Sequence, residues 1–271
     1  MSVKIKPLSN EQLNSIAPTL FTQEPHSEVS EKYHFIPTID VIEEIRANNW
    51  YPVNVAVANV RDEEKEGFQQ HCVRFRHFED LLNPKDNAVE LLLFNSHDRT
   101  KAFSISAGIF RFVCANGLVI SDSVFETYKI KHLGERDNDV VNAVANITSI
   151  KPKLMEKIEK LESITLNQSE KESFAKYSIP LRFEEHLEIN HNDLLIPHRV
   201  EDSKDDLYTV LNVIQENLLR GNISGINKDT KRRFTSKEIT SISKDTEVNK
   251  GIWDIAEKIA SIKDSNYLVA A

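Results

Sequence analysis

The first candidate for a catalytic or metal-binding site is the run Asn95-Ser96-His97-Asp98, which directly follows an apolar stretch predicted as a strand. A serine beside a histidine does not form a catalytic triad, because adjacent strand residues point to opposite faces. His97 and Asp98 together offer too few ligands for a metal site. The alternative interpretation is a polar turn whose side chains bind backbone groups.

Other residues give no stronger argument for catalysis. The run Glu184-Glu185-His186, with His191 and Asp193, matches no standard spacing of a helical zinc site. The 2 cysteines, Cys72 and Cys114, cannot build a disulfide scaffold or a cysteine-rich zinc site. The chain has only 7 glycines, and neither of the glycine-rich phosphate-binding motifs, G-x-G-x-x-G and G-x-x-x-x-G-K-[ST], occurs in it. We therefore expect a protein that is not an enzyme and uses neither a metal nor another cofactor.

Cationic side chains suggest a different chemistry, which is the binding of phosphate groups. Arg74 and Arg76 are two positions apart in a predicted strand, so they share a face at a separation of ~6.6 Å. This is close to the spacing of successive phosphates in a nucleic-acid strand. Lys101 and Arg111 belong to the following segment. The alternative for each cation is surface solvation or an ion pair with a nearby acid, namely Glu79, Asp80 or Glu90.

A denser basic stretch runs from Arg220 to Lys237 and holds six basic residues against a single acid. Lys231, Arg232 and Arg233 are adjacent there, and Phe234 adds a ring on which a base can stack. The net charge of the chain is −8, which taken alone argues against a polyanionic partner. Because charges are screened over ~8–10 Å at physiological salt, a local basic patch can still bind phosphate. The alternative is a solvated loop.

The elements that position these residues differ between the two halves of the chain. In the first half, apolar residues recur with the period of two that is typical of strands. The predicted strands lie at 53–60, 70–78 and 88–94. Short connections favour an antiparallel meander, and a short helix over Ile39–Ala47, with Thr38 as its N-cap, precedes it. Residues 99–119 fit either a buried helix or a strand, and more strand is predicted between 118 and 132.

The apolar period becomes helical near Asn138. Helices are predicted from there to about residue 161, over 169–186, over Asp205–Arg220 with Gly221 at its C-terminal cap, and over Val248–Ile262. The predicted fold class is α+β, with an N-terminal antiparallel sheet built on a helix–three strands–helix core and a mostly helical C-terminal half. The predicted domains are an irregular arm at 1–35, an α+β sheet domain at 36–136 and a helical region at 137–271.

Apolar surface and targeting signals add two expectations. Phe103, Ile105, Ile109 and Phe110 supply more apolar surface than one thin sheet needs, so we expect a homo-oligomer; the alternative is that the C-terminal helices cover this surface. No apolar run approaches the ~18 residues of a transmembrane helix, and the first residues lack a signal-peptide core. We therefore expect a cytoplasmic protein with no membrane partner.

Three stretches of sequence are more specific together than any one alone. They read LFNSHD at 93–98 with AGIFRFVCANGL at 107–118, DLYTVLNVIQENLLRG at 206–221, and NKGIWDIAE at 249–257. From about residue 33 to 262 the chain resembles the phage- and plasmid-associated family called domain of unknown function 932. The motif positions of the first stretch are Asn95, His97, Asp98, Asn116 and Gly117, and Arg99 replaces the family's usual glycine. The family name carries no activity, but it implies a mobile-element setting with DNA or host defence proteins as partners.

The order of elements gives a weaker resemblance to the Rad-type single-strand annealing proteins. In that group a helix that ends at a corner is followed by three strands and then by a second helix. Here the corner is at Trp50, and the second helix is predicted over Thr100–Ala115 and bears Arg111. The resemblance implies rings that bind phosphates in a groove without a cofactor. Fold alone does not fix function, so this is an analogy.

Three functions are compatible with the sequence. The first is a mobile-element protein that binds single-stranded DNA, of the annealing or recombination type. The second is a non-catalytic interaction protein, such as an inhibitor of a host defence system, with a host protein as its partner. The third is a metal-dependent hydrolase or nuclease centred on His97 and Asp98.

Overall fold

The computed structural model describes residues 5–27, 35–60, 62–98, 100–111, 117–119, 128–129 and 137–270. The chain divides into two compact units, Met1–Pro152 and Lys153–Ala271. The division lies within one long helix, at Pro152. The predicted α+β class is confirmed, because the first unit contains the larger sheet and the C-terminal half is mostly helical.

The first unit is built on a sheet of six strands, in which each pair of neighbours is antiparallel. The strands follow the chain in order from β1 to β5, and β6 pairs with β4. The meander predicted for the first three strands is therefore confirmed. The strands are β1 Trp50–Val57, β2 His71–His77, β3 Asn87–Asn95, β4 Ser104–Arg111, β5 Gly117–Val119 and β6 Tyr128–Lys129. The helices are α1 Asn10–Ile16, α2 Thr38–Ala47 and α3 Phe78–Leu82, with short 3-10 helices at Pro18–Phe21 and Glu63–Lys65.

Burial along the strands explains how readily each could be predicted. In β1, half-buried Val53, Val55 and Val57 alternate with exposed Asn54 and Ala56, which gives the period of two. In β3 and β4 almost every residue is buried on both faces. Such central strands are apolar throughout and lack the alternation of a half-buried strand. Strand β3 was predicted at 88–94 from its short apolar run, whereas the segment of β4 fitted either a helix or a strand.

The segment that follows β3 is a strand, which was one of the two alternatives for residues 99–119. It is not the helix over Thr100–Ala115 that the resemblance to the annealing proteins implied. Strand β4 pairs with β3 along its whole length, from Ser104 opposite Phe94 to Arg111 opposite Asn87. The helix prediction was wrong because a strand buried on both faces has the composition of a buried helix. Residues 112–115 of that predicted helix lie outside the described residues. The order of elements that resembled the annealing proteins is thus not found at this position.

The corner between α2 and β1 is set by Asn49 and Trp50. Asn49 adopts a left-handed conformation with φ 64°, as is common just beyond a helix C-terminus. Trp50 is fully buried, and its Nε1 donates a hydrogen bond of 3.1 Å to Thr148 Oγ1. At the other end of α2, Pro37 occupies the N-cap position and Thr38 is the first helical residue. Thr38 was therefore wrongly predicted as the cap, because its hydroxyl is used in the core.

The C-terminal half is held by four helices. They are α4 Asp137–Ser163, in which the chain divides, α5 Gln168–Ser178, α6 Leu207–Arg220 and α7 Ile242–Ala270, with short 3-10 helices at Ile179–Leu181, His191–Leu195 and Val200–Ser203. Helix α6 is buried along nearly its entire length. Asp206 caps its N-terminus by accepting the Thr209 N–H at 2.7 Å. Gly221, with φ 77°, ends it as predicted.

The second unit also contains a small sheet that the sequence did not predict. Its strands are β7 Leu187–Ile189, β8 Ser224–Asn227 and β9 Arg233–Thr235, arranged antiparallel in that order. Each strand is too short to show a hydrophobic period, since a strand signal needs about four to eight residues. Four of the six basic residues of the basic stretch lie on the hairpin formed by β8 and β9, namely Lys228, Lys231, Arg232 and Arg233.

The apolar residues that suggested an oligomer lie inside the first unit. Phe103, Ile105, Ile109 and Phe110 are 0%, 0%, 1% and 7% exposed. They therefore offer no open surface to a second copy, and the homo-oligomer stays a prediction without this argument. In the described part of the chain, no helix combines the length and the apolar character needed to cross a membrane.

Candidate nucleic-acid interface

The β8–β9 hairpin, residues Ser224–Thr235, presents its cations on and beside a hydrogen-bonded turn. The Asn227 side chain accepts the backbone N–H groups of Asp229 and Thr230 at 3.0 and 2.9 Å. Asn227 also exchanges backbone hydrogen bonds with Lys231 and Arg232, at 2.8 and 2.9 Å. Because every one of these bonds is local, the turn can hold its shape while its side chains point to solvent. We call this segment the basic hairpin.

Lys231, Arg232 and Arg233 are exposed. None of the three forms a side-chain hydrogen bond or an ion pair with a described residue. Lys228, earlier in the turn, donates through Nζ to the Glu185 carbonyl at 3.1 Å. The hairpin therefore carries three adjacent positive charges that the described residues do not neutralise.

Lys231 has a left-handed backbone with φ 56°. This conformation costs a residue with a side chain about 1–2 kcal/mol, and glycine avoids the cost. Backbone strain of this kind is often found at binding sites. The turn thus places a lysine where glycine would be the cheaper residue.

The three short strands expose one face of the small sheet. Along each strand exposed and half-buried residues alternate. The exposed set, which we call the outer face, is Glu188, Ser224, Ile226, Arg233 and Thr235. Register places Glu188 opposite Ile226, and Ile226 opposite Arg233. These residues line an open groove of about 530 Å³.

Phe234, the predicted stacking group, lies in the half-buried set. Its ring crosses Gly225 so closely that a Cβ added at Gly225 would lie 2.7 Å from the ring carbons. The ring centroids of Phe234 and Phe183 are 6.5 Å apart. Packing inside the unit therefore occupies much of this ring, which leaves less of it available to a base.

Arg74 and Arg76 share a face of β2 as predicted, but a carboxylate engages both of them. Glu90 accepts from Arg74 Nε and from Arg76 Nη2, each at 2.6 Å. Both guanidinium groups also lie over the Phe110 ring, at 4.8 and 4.7 Å from its centroid. The Arg76 side chain is 0% exposed and that of Glu90 is 2% exposed. This arrangement favours the ion-pair alternative over phosphate binding for Arg76.

The other two predicted cations, Lys101 and Arg111, lie at the two ends of the β4 region. Lys101 Nζ is 5.5 Å from the Phe94 ring centroid, and its backbone N–H donates to Ser96 Oγ at 2.8 Å. Arg111 is the last residue of β4 and is half-buried. Nucleic-acid binding by either residue stays a prediction.

The run Asn95–Asp98 begins at the last residue of β3, and its side chains have different partners. His97 is fully buried, whereas Asp98 accepts the Thr100 hydroxyl at 2.6 Å and its N–H at 3.0 Å. Burial acts to raise the pKa of Asp98, but these hydrogen bonds hold it below its ordinary value. This geometry matches the polar turn that was one of the two interpretations. Of the other motif positions, Asn116 lies outside the described residues and Gly117 begins β5.

The buried side of this turn is a polar cluster that the sequence did not reveal. Thr38 Oγ1 lies 3.0 Å from His71 Nε2, 3.3 Å from His97 Nε2 and 3.0 Å from Asn95 Nδ2. His71 Nδ1 lies 3.1 Å from the Gln69 carbonyl. A carbonyl only accepts, so His71 carries its proton on Nδ1 and its Nε2 accepts from the Thr38 hydroxyl. The hydroxyl oxygen in turn accepts from Asn95 and from His97.

This arrangement requires the His71 imidazole to be neutral, because its Nδ1 donates and its Nε2 accepts. Burial lowers the pKa of His71 to about 3, and the neighbouring His97 acts in the same direction. In the described residues, no group of three histidine, cysteine or acidic side chains is placed to hold a metal ion. The cluster links the first residue of α2 to the start of β2 and to the end of β3.

The stretch 206–221 is also engaged in the interior of its unit. Glu216, 1% exposed, accepts two hydrogen bonds of 2.7 Å from Arg199 and pairs with Arg220 at 2.8 Å. Asn217 donates to the carbonyls of Leu194, Ile196 and Val213. Gly221 approaches the Lys237 carbonyl so closely that a Cβ would lie 2.6 Å from it. These motif residues therefore make contacts within the protein.

Sequence reasoning found the three exposed cations of the basic hairpin but missed the outer face around Arg233. Glu188, Ser224 and Thr235 come from strands that the sequence did not predict. The one signal that points to them is the alternation of exposed residues at 224, 226, 233 and 235. This alternation spans too few residues to be recognised before the strand pairing is known.

Comparison with known proteins gives a family and no activity. The model of the family described as domain of unknown function, DUF932, matches residues 25–253. Two Escherichia coli K12 proteins, UPF0380 protein YfjQ and UPF0380 protein YafZ, are each 31% identical over 255 residues, which cover 94% of this chain and 92% of theirs. No solved structure matches the chain. The chain therefore belongs to the DUF932 family, as the resemblance of its three sequence stretches implied.

Proposed function

We propose that this protein binds single-stranded DNA through the basic hairpin, without a cofactor, in the mobile-element setting that its family resemblance implied. The observation that carries the proposal is the group of three adjacent exposed cations that no described residue neutralises. Three like charges side by side repel one another, and this repulsion is relieved when phosphate groups bind between them. The left-handed Lys231 supports a selected position for its charge.

Shape and charge favour one strand over a duplex. The hairpin turn and the adjoining outer face form a short, narrow platform in an acidic chain of net charge −8. Phosphates more than about 8 Å away are screened at physiological salt, so only those in direct contact contribute. A flexible single strand can follow such a platform, whereas a rigid duplex would extend beyond it.

The proposal is binding and not a particular reaction. The annealing activity expected from element order depended on a helix where the chain forms β4. Annealing or recombination would need evidence of its own, such as faster pairing of complementary strands in the presence of the protein. The non-catalytic interaction protein takes first place if the wild-type chain binds no DNA at low salt.

The test is a fluorescence-anisotropy titration with a labelled 20-mer at several salt concentrations. Replacing Lys231, Arg232 and Arg233 together by alanine should weaken binding alike for every sequence. It should also lower the log–log salt slope by about 2, because each phosphate contact of a single strand contributes ~0.7.

A matched triple variant separates local contacts from net charge. Three exposed lysines of the same unit serve this purpose, namely Lys176, Lys204 and Lys258. Replacing them by alanine removes the same number of positive charges as the hairpin variant. This variant should keep nearly the wild-type slope. Equal losses in both triple variants would show that net charge and not the hairpin governs binding, and would refute the proposal.

A further inference from the structure

The outer face beside the basic hairpin has the composition of a site that reads a base. Arg233 lies at one side, Ile226 in the middle and Glu188 at the other side, in direct register across the three strands. Neighbouring strands are ~4.8 Å apart, so the backbones of Arg233 and Glu188, two strands from each other, are about 9.6 Å apart. This span is comparable to the length of a nucleotide from its phosphate to the far edge of its base.

Each position of the outer face suits one part of such a nucleotide. Arg233 can bind the phosphate as a bidentate cation. Ile226, 41% exposed, offers an apolar surface against which the flat face of a base can lie. Ser224 and Thr235 stand opposite each other in the next row, and their hydroxyls can donate or accept, so they tolerate any base.

Glu188 is the residue that can discriminate. It is exposed, and it forms no ion pair or side-chain hydrogen bond with a described residue. A carboxylate only accepts hydrogen bonds at neutral pH. Adenine, cytosine and guanine each carry an exocyclic amine that can donate to it, whereas thymine presents a carbonyl and a methyl group.

We infer that the outer face holds one nucleotide whose base carries an exocyclic amine, and that it disfavours thymine because Glu188 accepts the amine hydrogen. The inference rests on the proposed function, since the same strand must first bind the basic hairpin. It adds a base preference to a contact that would otherwise be independent of sequence. Arg233 connects the phosphate contact with the base preference, because it is both one of the three hairpin cations and a residue of the outer face.

The test compares oligo-dC and oligo-dT of 12 nucleotides, two pyrimidine strands of equal charge. The wild-type protein should bind oligo-dC about tenfold more tightly, in line with the discrimination of one directed contact to a base edge. Glu188→Gln should remove this preference, because an amide can also donate to the thymine carbonyl. The salt slope should be the same for both strands.

Glu185→Gln is the matched control. Glu185 is exposed, and its carbonyl accepts from Lys228 beside the hairpin, but its side chain does not line the groove. Both variants remove one negative charge and should raise overall affinity similarly, while only Glu188→Gln changes the ratio of the two strands. Equal binding of oligo-dC and oligo-dT by the wild type, or a preference that survives Glu188→Gln, refutes this inference and leaves the proposed function standing. Failure to bind either strand at low salt refutes both.

Discussion

Two groups of neighbouring cations in this protein have opposite surroundings. Arg74 and Arg76 lie on a central strand, and the carboxylate of Glu90 on the next strand pairs with both of them. The Arg76 side chain is fully buried. Lys231, Arg232 and Arg233 lie on and beside a turn, where no described acid reaches them. In the sequence both groups look like phosphate-binding residues. The comparison teaches that the adjacent strand, and not the spacing of the cations, decides whether they are available to a ligand.

The largest expected effect follows from removing the acid that pairs with both arginines of the first group. Glu90→Gln removes the carboxylate charge that Arg74 and Arg76 share. Breaking a buried ion pair in this way typically costs ~3–5 kcal/mol. Urea denaturation should therefore show a clear fall in the free energy of unfolding.

Glu43→Gln provides the control for this experiment. Glu43 forms an ion pair with Arg46 at 2.6 Å on the surface of α2, and its side chain is 50% exposed. Exposed pairs contribute about 0–1 kcal/mol, so this variant should stay close to the wild type. If Glu90→Gln were no more destabilising than Glu43→Gln, the cations of β2 would be accessible to solvent, and the contrast between the two groups would disappear.

The second expected effect concerns pH, to which the buried polar groups of the first unit should respond. Burial holds the pKa of His71 at about 3, whereas an unfolded histidine has a pKa near ~6.5. The unfolded state therefore binds a proton first. The stabilising contribution is complete above pH 6.5 and is lost as the pH falls towards 3, by about 1.4 kcal/mol per pH unit.

The measurement is a series of thermal melts between pH 7 and pH 4.5 on the wild type and on His71→Asn. The variant removes the titrating group, so its stability should fall less steeply with decreasing pH, although its stability at pH 7 is lower. Parallel curves for the two proteins would contradict a neutral, buried His71.

The smallest effect on stability is expected in the second group. Lys231→Gly relieves the left-handed strain of a residue with a side chain but makes the unfolded chain more flexible, so the free energy of unfolding should change by less than ~1 kcal/mol. Binding should nevertheless lose one phosphate contact, which lowers the salt slope by ~0.7. A large loss of stability with an unchanged slope would assign Lys231 a structural role instead.

Local pattern was enough to predict several elements. The period of two gave β1 and β2, and the helical period with a terminal Gly221 gave α6, because one face of each segment packs differently from the other or a cap residue marks its end. The helix at Thr100–Ala115 was wrong for the opposite reason. Strand β4 is buried on both faces, and a uniformly apolar segment carries no period.

The candidate interface could be predicted only in part. Lys231, Arg232 and Arg233 follow directly from composition, since a run of cations with little apolar sequence is rarely buried. The fate of Arg76 did not follow, because its partner Glu90 is 14 positions away in the chain and β-sheet register brings them together. Glu188 is likewise separated from Ile226 in sequence and meets it only across β7 and β8.

By itself the sequence determined the α+β class, the family and the position of the exposed cations, because these depend on composition, period and local caps. Only the tertiary structure decided which arginines are neutralised, which histidines share the Thr38 hydroxyl and which side chains form the outer face. Each of these depends on strand pairing between distant segments. Pairing is fixed by the packing of the whole unit, and no short stretch of sequence contains that information.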